Sequence, residues 1–196
     1  GPLASFDVQG HNVFSARDLF ALPLLDKLTE AGIRSFKIEG RGRSPEYTKV
    51  TVGVYSEAVK AIQNGEFTEE KIAQWTERLR SVYNRDFWDG YYLGRKMGEW
   101  TQRYGSQATK TKIFVGTVTN FFAKINVAEI RMETQDLKVG DDIMIIGPTT
   151  GVYEDKVSEI RVDLKPVEST EKGELCSIPV KDVIRRGDKV YKVIDA

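Results

Sequence analysis

The stretch Lys112-Ile113-Phe114-Val115-Gly116-Thr117-Val118 decides the fold of the second half of the chain. From here the apolar residues recur with a period of two, the side-chain period of a strand. Further strand-like segments follow at Ile125 to Met132, Asp142 to Ile146, Gly151 to Val162, Glu174 to Val180 and Lys189 to Ile194. Short strands separated by glycine turns predict a small six-stranded β-barrel over 112–196, a closed form that leaves no exposed sheet edge. Two turns share a form: Lys138-Val139-Gly140-Asp141 and Arg186-Gly187-Asp188 each lead the chain into a strand. The single cysteine, Cys176, falls in the fifth strand and reads as a buried core thiol. Arg185-Arg186 reads as a solvated turn, with a phosphate contact as the alternative.

Before this segment the pattern is helical. Ser15-Ala16-Arg17-Asp18 predicts a short helical turn with Ser15 as N-cap. Pro23 suits the first turn of a helix through Leu24, Leu25 and Leu28, which Gly32 stops. Ile33 to Ile38 alternates apolar and polar residues and predicts one short strand. Ser44-Pro45-Glu46 is a helix start by cap, proline and charge, and Tyr47, Val50, Val54, Ala58 and Ile62 share its apolar face. Asn64-Gly65 ends that helix. Thr68 opens another, with Ile72, Trp75 and Leu79 inward. Arg85 to Tyr104 carries Phe87, Trp88, Tyr91, Tyr92 and Trp100 among glycines, an irregular segment that reads as core or interface rather than a base-stacking platform. Ser106 to Thr111 is a polar linker. The expected class is α+β: residues 6–105 form the helical tail of a truncated β/α barrel, and the small barrel follows. Gly1-Pro2-Leu3-Ala4-Ser5 reads as a scar of tag cleavage.

The chain has 196 residues, and Lys plus Arg equals Asp plus Glu at 29 each. Divided at Lys110, the first part holds 16 basic and 14 acidic residues and the second 13 and 15, so neither part is a basic module overall. Nucleic-acid binding would therefore need a local patch. One cysteine precludes an internal disulfide and fits a reducing, cytoplasmic setting. No apolar run reaches the ~18 residues of a membrane span. His11 and Cys176 lie too far apart in sequence to suggest a zinc site and no other His or Cys is present, so neither metal nor cofactor is expected in this chain.

The one dense polar motif is Lys37-Ile38-Glu39-Gly40-Arg41, followed by Ser44-Pro45-Glu46-Tyr47. Lys37, Glu39 and Arg41 are spaced by two, so on an extended chain they point one way. At the end of a barrel strand they would stand on the face where such barrels keep their sites. Lys37, Glu39 and Arg41 are the candidate catalytic group, and Ser44 and Tyr47 the candidate substrate contacts. Arg41 suits a carboxylate or phosphate. The competing reading makes Glu39 and Arg41 a structural ion pair. His11 reads as a polar loop residue.

These residues also carry a resemblance. Ser15-Ala16-Arg17-Asp18-Leu19, the run from Leu28 to Arg41, Ser44-Pro45-Glu46-Tyr47, Tyr83-Asn84-Arg85-Asp86-Phe87 and Asp89-Gly90-Tyr91-Tyr92-Leu93-Gly94 resemble the collagenase-like peptidases, family thirty-two of the unassigned class. The resemblance implies a modified β/α barrel followed by a C-terminal barrel similar to the second-domain barrel of translation factors. It implies a collagenase-like protease of unassigned mechanism, with protein or peptide as substrate. Other members resemble prephenate-dependent tRNA uridine hydroxylation proteins and ribosomal RNA cytidine hydroxylation proteins, so the alternative is an RNA-binding accessory domain with tRNA or rRNA as partner. Most of the family's barrel, with its upstream Cys and His motifs, is not in this sequence. The chain alone is therefore expected to be inactive, its small barrel an accessory or substrate-binding domain. Ile33 to Ile38, without barrel neighbours, is expected to associate between molecules or to lack order; light scattering across a concentration series would register the association, and a strict monomer with that strand paired inside its own chain would contradict it.

Overall fold

The computed structural model describes residues 17–92, 94 and 106–196. They fall into two units. One takes the chain up to Glu39 together with Val50–Ala108; the other takes Gly40–Lys49 and Thr109–Ala196. The class is α+β.

In the first unit, a 3-10 turn at Leu22–Leu24 runs into α1 (Leu25–Glu30). The long helix α2 spans Pro45–Gln63, with residues 45–49 counted in the second unit and the rest in the first, and α3 spans Glu69–Arg80. Thr68 caps α3 by accepting the Lys71 amide at 3.3 Å, with Glu69 and Glu70 in the first turn where the helix end is positive. The core of this unit is Leu22, Leu25, Val54, Ala58, Trp75 and Leu79 with Ala61 beside them. Burying each of the larger side chains contributes about 1.5–3 kcal/mol. Glu57 ties α2 to α3: its carboxylate accepts from Arg78 Nη1 at 2.5 Å, Arg78 Nη2 at 2.9 Å and Trp75 Nε1 at 3.0 Å. The Arg78 guanidinium holds the Glu57 carboxyl below its ordinary value against the opposing effect of burial.

Two local expectations fail here. Asp18–Leu19 is a strand, β1, paired in parallel with β2 (Phe87–Trp88), instead of part of a helical turn; Ser15 lies outside the described residues. The Asp18 carboxylate accepts the Arg85 amide at 2.9 Å, so a partner far along the sequence overrides the local cap signal. The β2 strand also gives regular structure to a segment expected to be irregular, and Phe87 stacks on Phe20 with ring centroids 4.7 Å apart. The second failure is Ile33–Ile38, which is not a strand. It is an exposed non-regular stretch except for half-buried Ile38, and among the described residues no strand pairs with it. An alternating pattern makes a strand only where a second strand accepts its backbone.

The second unit is an antiparallel sheet of eight strands: β3 (Lys110–Phe122), β4 (Val127–Met132), β5 (Asp142–Gly147), β6 (Gly151–Lys156), β7 (Ile160–Val162), β8 (Lys165–Val167), β9 (Leu175–Pro179) and β10 (Lys189–Asp195). Their order across the sheet is β6-β5-β10-β3-β4-β9-β7-β8. The expected fourth strand divides at Val157 into β6 and β7, and β8 is a short strand that Pro166 hides from sequence reading. The sheet order begins at β6 and ends at β8. The segment Leu137–Asp141 bonds near both: Val139 N donates to Glu168 O at 3.0 Å just past β8, and Gly140 N to Val157 O at 2.8 Å just past β6. The inner face holds Val115, Ile130, Ile145, Ile160, Ile178 and Val190, each at most 1% exposed.

The two turns of shared sequence form share a geometry. Asp141 N donates to Lys138 O, and Asp188 N to Arg185 O, both at 3.1 Å. The third residue has φ +92° at Gly140 and +93° at Gly187, a conformation other residues resist. In each the aspartate carboxylate accepts the first residue's amide, Lys138 N at 2.9 Å and Arg185 N at 2.8 Å. Asp188 goes further: it is 2% exposed and also accepts from Thr150 Oγ1 at 2.6 Å.

Candidate functional site

The structure does not gather the candidate residues on one strand face. Lys37 and Glu39 lie in the exposed stretch of the first unit. Arg41, Ser44 and Tyr47 belong to the second unit. Arg41 stands in a turn closed by Arg43 N donating to Gly40 O at 3.0 Å. Ser44 is the N-cap position of α2, since its carbonyl accepts the first helical bond from Thr48 N at 3.2 Å. Tyr47 is half-buried, with the Arg43 guanidinium carbon 5.0 Å from its ring centroid.

Cys176 is 1% exposed in the sheet core. Burial, with the nearby Glu174 charge adding to it, pushes its thiol up to about 12. A thiol in that state is a poor nucleophile. His11 lies outside the described residues. Among the described residues no three His, Cys, Asp or Glu side chains form a group able to hold a metal ion.

Sequence reasoning missed an aromatic and cationic row on β3 and β10, in the second unit. Lys112 Nζ lies 5.1 Å from the Tyr191 centroid and donates to Glu46 Oε1 at 2.5 Å. Burial works to raise the Glu46 carboxyl, but the hydrogen bonds from Lys112 and Ser44, with the Lys112 charge, together outweigh it and leave the group below its ordinary value. Tyr191 meets Phe114 edge-on with centroids 5.8 Å apart. Lys189 Nζ lies 5.4 Å from the Phe114 centroid and donates to Thr117 Oγ1 at 2.9 Å. The residues alternate in type along two paired strands whose register is broken by a shift between Val190 and Tyr191. That shift, a long-range property, is what no local pattern announces.

Residues 5–102, half of the chain, match the model of peptidase family U32. The chain belongs to that family. Among U32 relatives, a collagenase of Porphyromonas gingivalis is 48% identical over 186 residues, covering 95% of this chain and 45% of that protein. An uncharacterized protease of Methanocaldococcus jannaschii is 36% identical over 186 residues, covering 93% of this chain and 45% of that protein. A tRNA hydroxylation protein, P1 of Bacillus subtilis, is 32% identical over 137 residues, covering 68% of this chain and 32% of that protein. The chain thus spans less than half the length of each of these three relatives. No described helix is long and apolar enough to cross a membrane.

Proposed function

We propose that this U32-family chain contributes recognition rather than cleavage: its sheet unit is an accessory module that helps present a protein or peptide substrate, and the chain alone does not hydrolyse peptide bonds. The observation that carries this reading is the state of Cys176. The chain's only thiol is sealed in the sheet core at 1% exposure, with its pKa pushed up, where neither a substrate carbonyl nor an activating base reaches it. The 48% identical relative named a collagenase supports peptide as the substrate class of the complete protein. Incubation of the purified chain with fluorescein-labelled gelatin and with casein is expected to release no more fluorescence or peptide than a protein-free control. Cleavage that persists through re-purification, and is lost in Glu39→Gln or Arg41→Ala, overturns the reading. The second reading, an RNA-binding accessory role, is favoured by one observation: Arg185, Arg186 and Lys189, exposed in the turn before β10 and at its start, have no carboxylate partner among the described residues.

A further inference from the structure

We infer that the turn Arg185–Asp188 and the start of β10 form a binding face for the phosphate backbone of single-stranded RNA; this rests on the second reading above. The chain has zero formal net charge, so attraction for a polyanion has to come from local separation of charge. It is found here. Arg185, Arg186 and Lys189 are exposed and lie within five residues of one another. The only carboxylate in that run, Asp188, is turned inward at 2% exposure and is used by Thr150 Oγ1 and the Arg185 amide. None of the three cations has an ion-pair partner among the described residues. Arg185 Nη1 instead donates to Thr150 Oγ1 at 3.2 Å, and Lys189 Nζ to Thr117 Oγ1 at 2.9 Å.

The placement is rigid. Gly187 N donates to Val118 O at 2.8 Å and Val118 N to Asp188 O at 2.9 Å, so the turn is stitched to β3. Thr117 lies opposite both Lys189 on β10 and Arg131 on β4, which puts the Lys189 and Arg131 backbones about 10 Å apart across two strand spacings. Two guanidinium groups and an ammonium group, exposed within five residues on a turn and strand tied to β3, are donors of the kind that hold phosphate oxygens. Phe114 lies under Lys189 and Tyr191 beside it, so aromatic rings of the kind bases stack on adjoin the cations, and this neighbourhood is the ground for choosing a single-stranded nucleic acid over an acidic peptide.

The test is fluorescence anisotropy of a fluorescein-labelled 20-nucleotide single-stranded RNA, titrated with the full chain from about 25 to 200 mM KCl. The unaltered chain is expected to bind at the low end, with affinity falling steeply as salt rises. The triple variant Arg185→Gln/Arg186→Gln/Lys189→Gln is expected to bind about tenfold or more weakly and to lower the salt slope by about 2, from ~0.7 per lost phosphate contact on a single strand. A charge-matched control, Lys60→Gln/Lys124→Gln/Lys165→Gln, is expected to keep most of the affinity and slope. Circular dichroism melts within a few degrees of the parent show that the altered side chains are surface groups and that the loss is not unfolding. If the chain binds RNA and the triple variant binds equally well, this face is wrong while RNA binding stands. If the chain does not bind even at the lowest salt, both fail. Displacement of the RNA by poly-glutamate at equal charge concentration overturns the commitment to nucleic acid.

Discussion

Gly147→Ala is expected to destabilise the sheet unit by about 2–4 kcal/mol, from overpacking plus the loss of buried hydrogen bonds. A Cβ at this position would lie 1.8 Å from Asp188 Oδ1 and 2.4 Å from Asp188 Cγ. The carboxylate has nowhere to retreat without giving up Thr150 Oγ1 at 2.6 Å and the Arg185 amide at 2.8 Å. For a domain of 60–100 residues each kcal/mol moves the melting temperature by roughly 4–8 °C, so the drop should reach about 10 °C. The double variant Gly147→Ala/Asp188→Ala separates the clash from the lost bonds. Its cost should fall short of the sum of the single costs by about 1–3 kcal/mol, because the two side groups compete for one space. Single and double variants that add without coupling, or a Gly147→Ala melt within about 2 °C of the parent, would show that the contact between strand β5 and the Arg185–Asp188 turn is not close.

The second large effect concerns Cys176. Its thiol is raised from an ordinary 9.0 to about 12 and is 1% exposed. Alkylation of the native protein by iodoacetamide at pH 8 is expected to be far slower than that of a free thiol, because burial both blocks access and disfavours the thiolate. In 6 M guanidinium chloride one thiol per chain should react at the free-thiol rate. Rapid stoichiometric labelling of native protein would place Cys176 at the surface and reopen it as a candidate nucleophile.

The local signals in this sequence were of unequal worth. Thr68 with Glu69-Glu70, and Ser44-Pro45-Glu46, marked helix starts because a cap and its first turn are adjacent in sequence. The β-period from Lys112 onward was legible for the same reason: alternation is a local pattern, and β3, β4, β5, β9 and β10 lie within a few residues of where it placed them. What depended on distant partners was not legible. Ile33–Ile38 has the alternation and, among the described residues, no strand to pair with, whereas Asp18–Leu19 has a helix-like start and pairs with Phe87–Trp88. The candidate group Lys37, Glu39 and Arg41 was argued from a shared strand face, and that stretch carries no strand. Cys176 was read correctly because a lone cysteine among alternating apolar residues has an interior position to fill. The Phe114–Tyr191 row was invisible because it rests on register between strands far apart in the chain.

The sheet unit is expected to fold as a module in its own right. The segment Gly40–Lys49 is held to it by Glu46 on Lys112 and by Lys49 on Glu154 at 2.6 Å. Lys49 and Glu154 are about half exposed, and such a pair contributes about 0–1 kcal/mol. The inner face of Val115, Ile130, Ile145, Ile160, Ile178 and Val190 involves none of residues 40–49. Differential scanning calorimetry of the polypeptide 109–196, alone, is therefore the most direct test. A single cooperative transition, with calorimetric and van't Hoff enthalpies in agreement, is the result predicted. A broad, non-cooperative melt would contradict the claim and make the sheet an inseparable part of a larger fold.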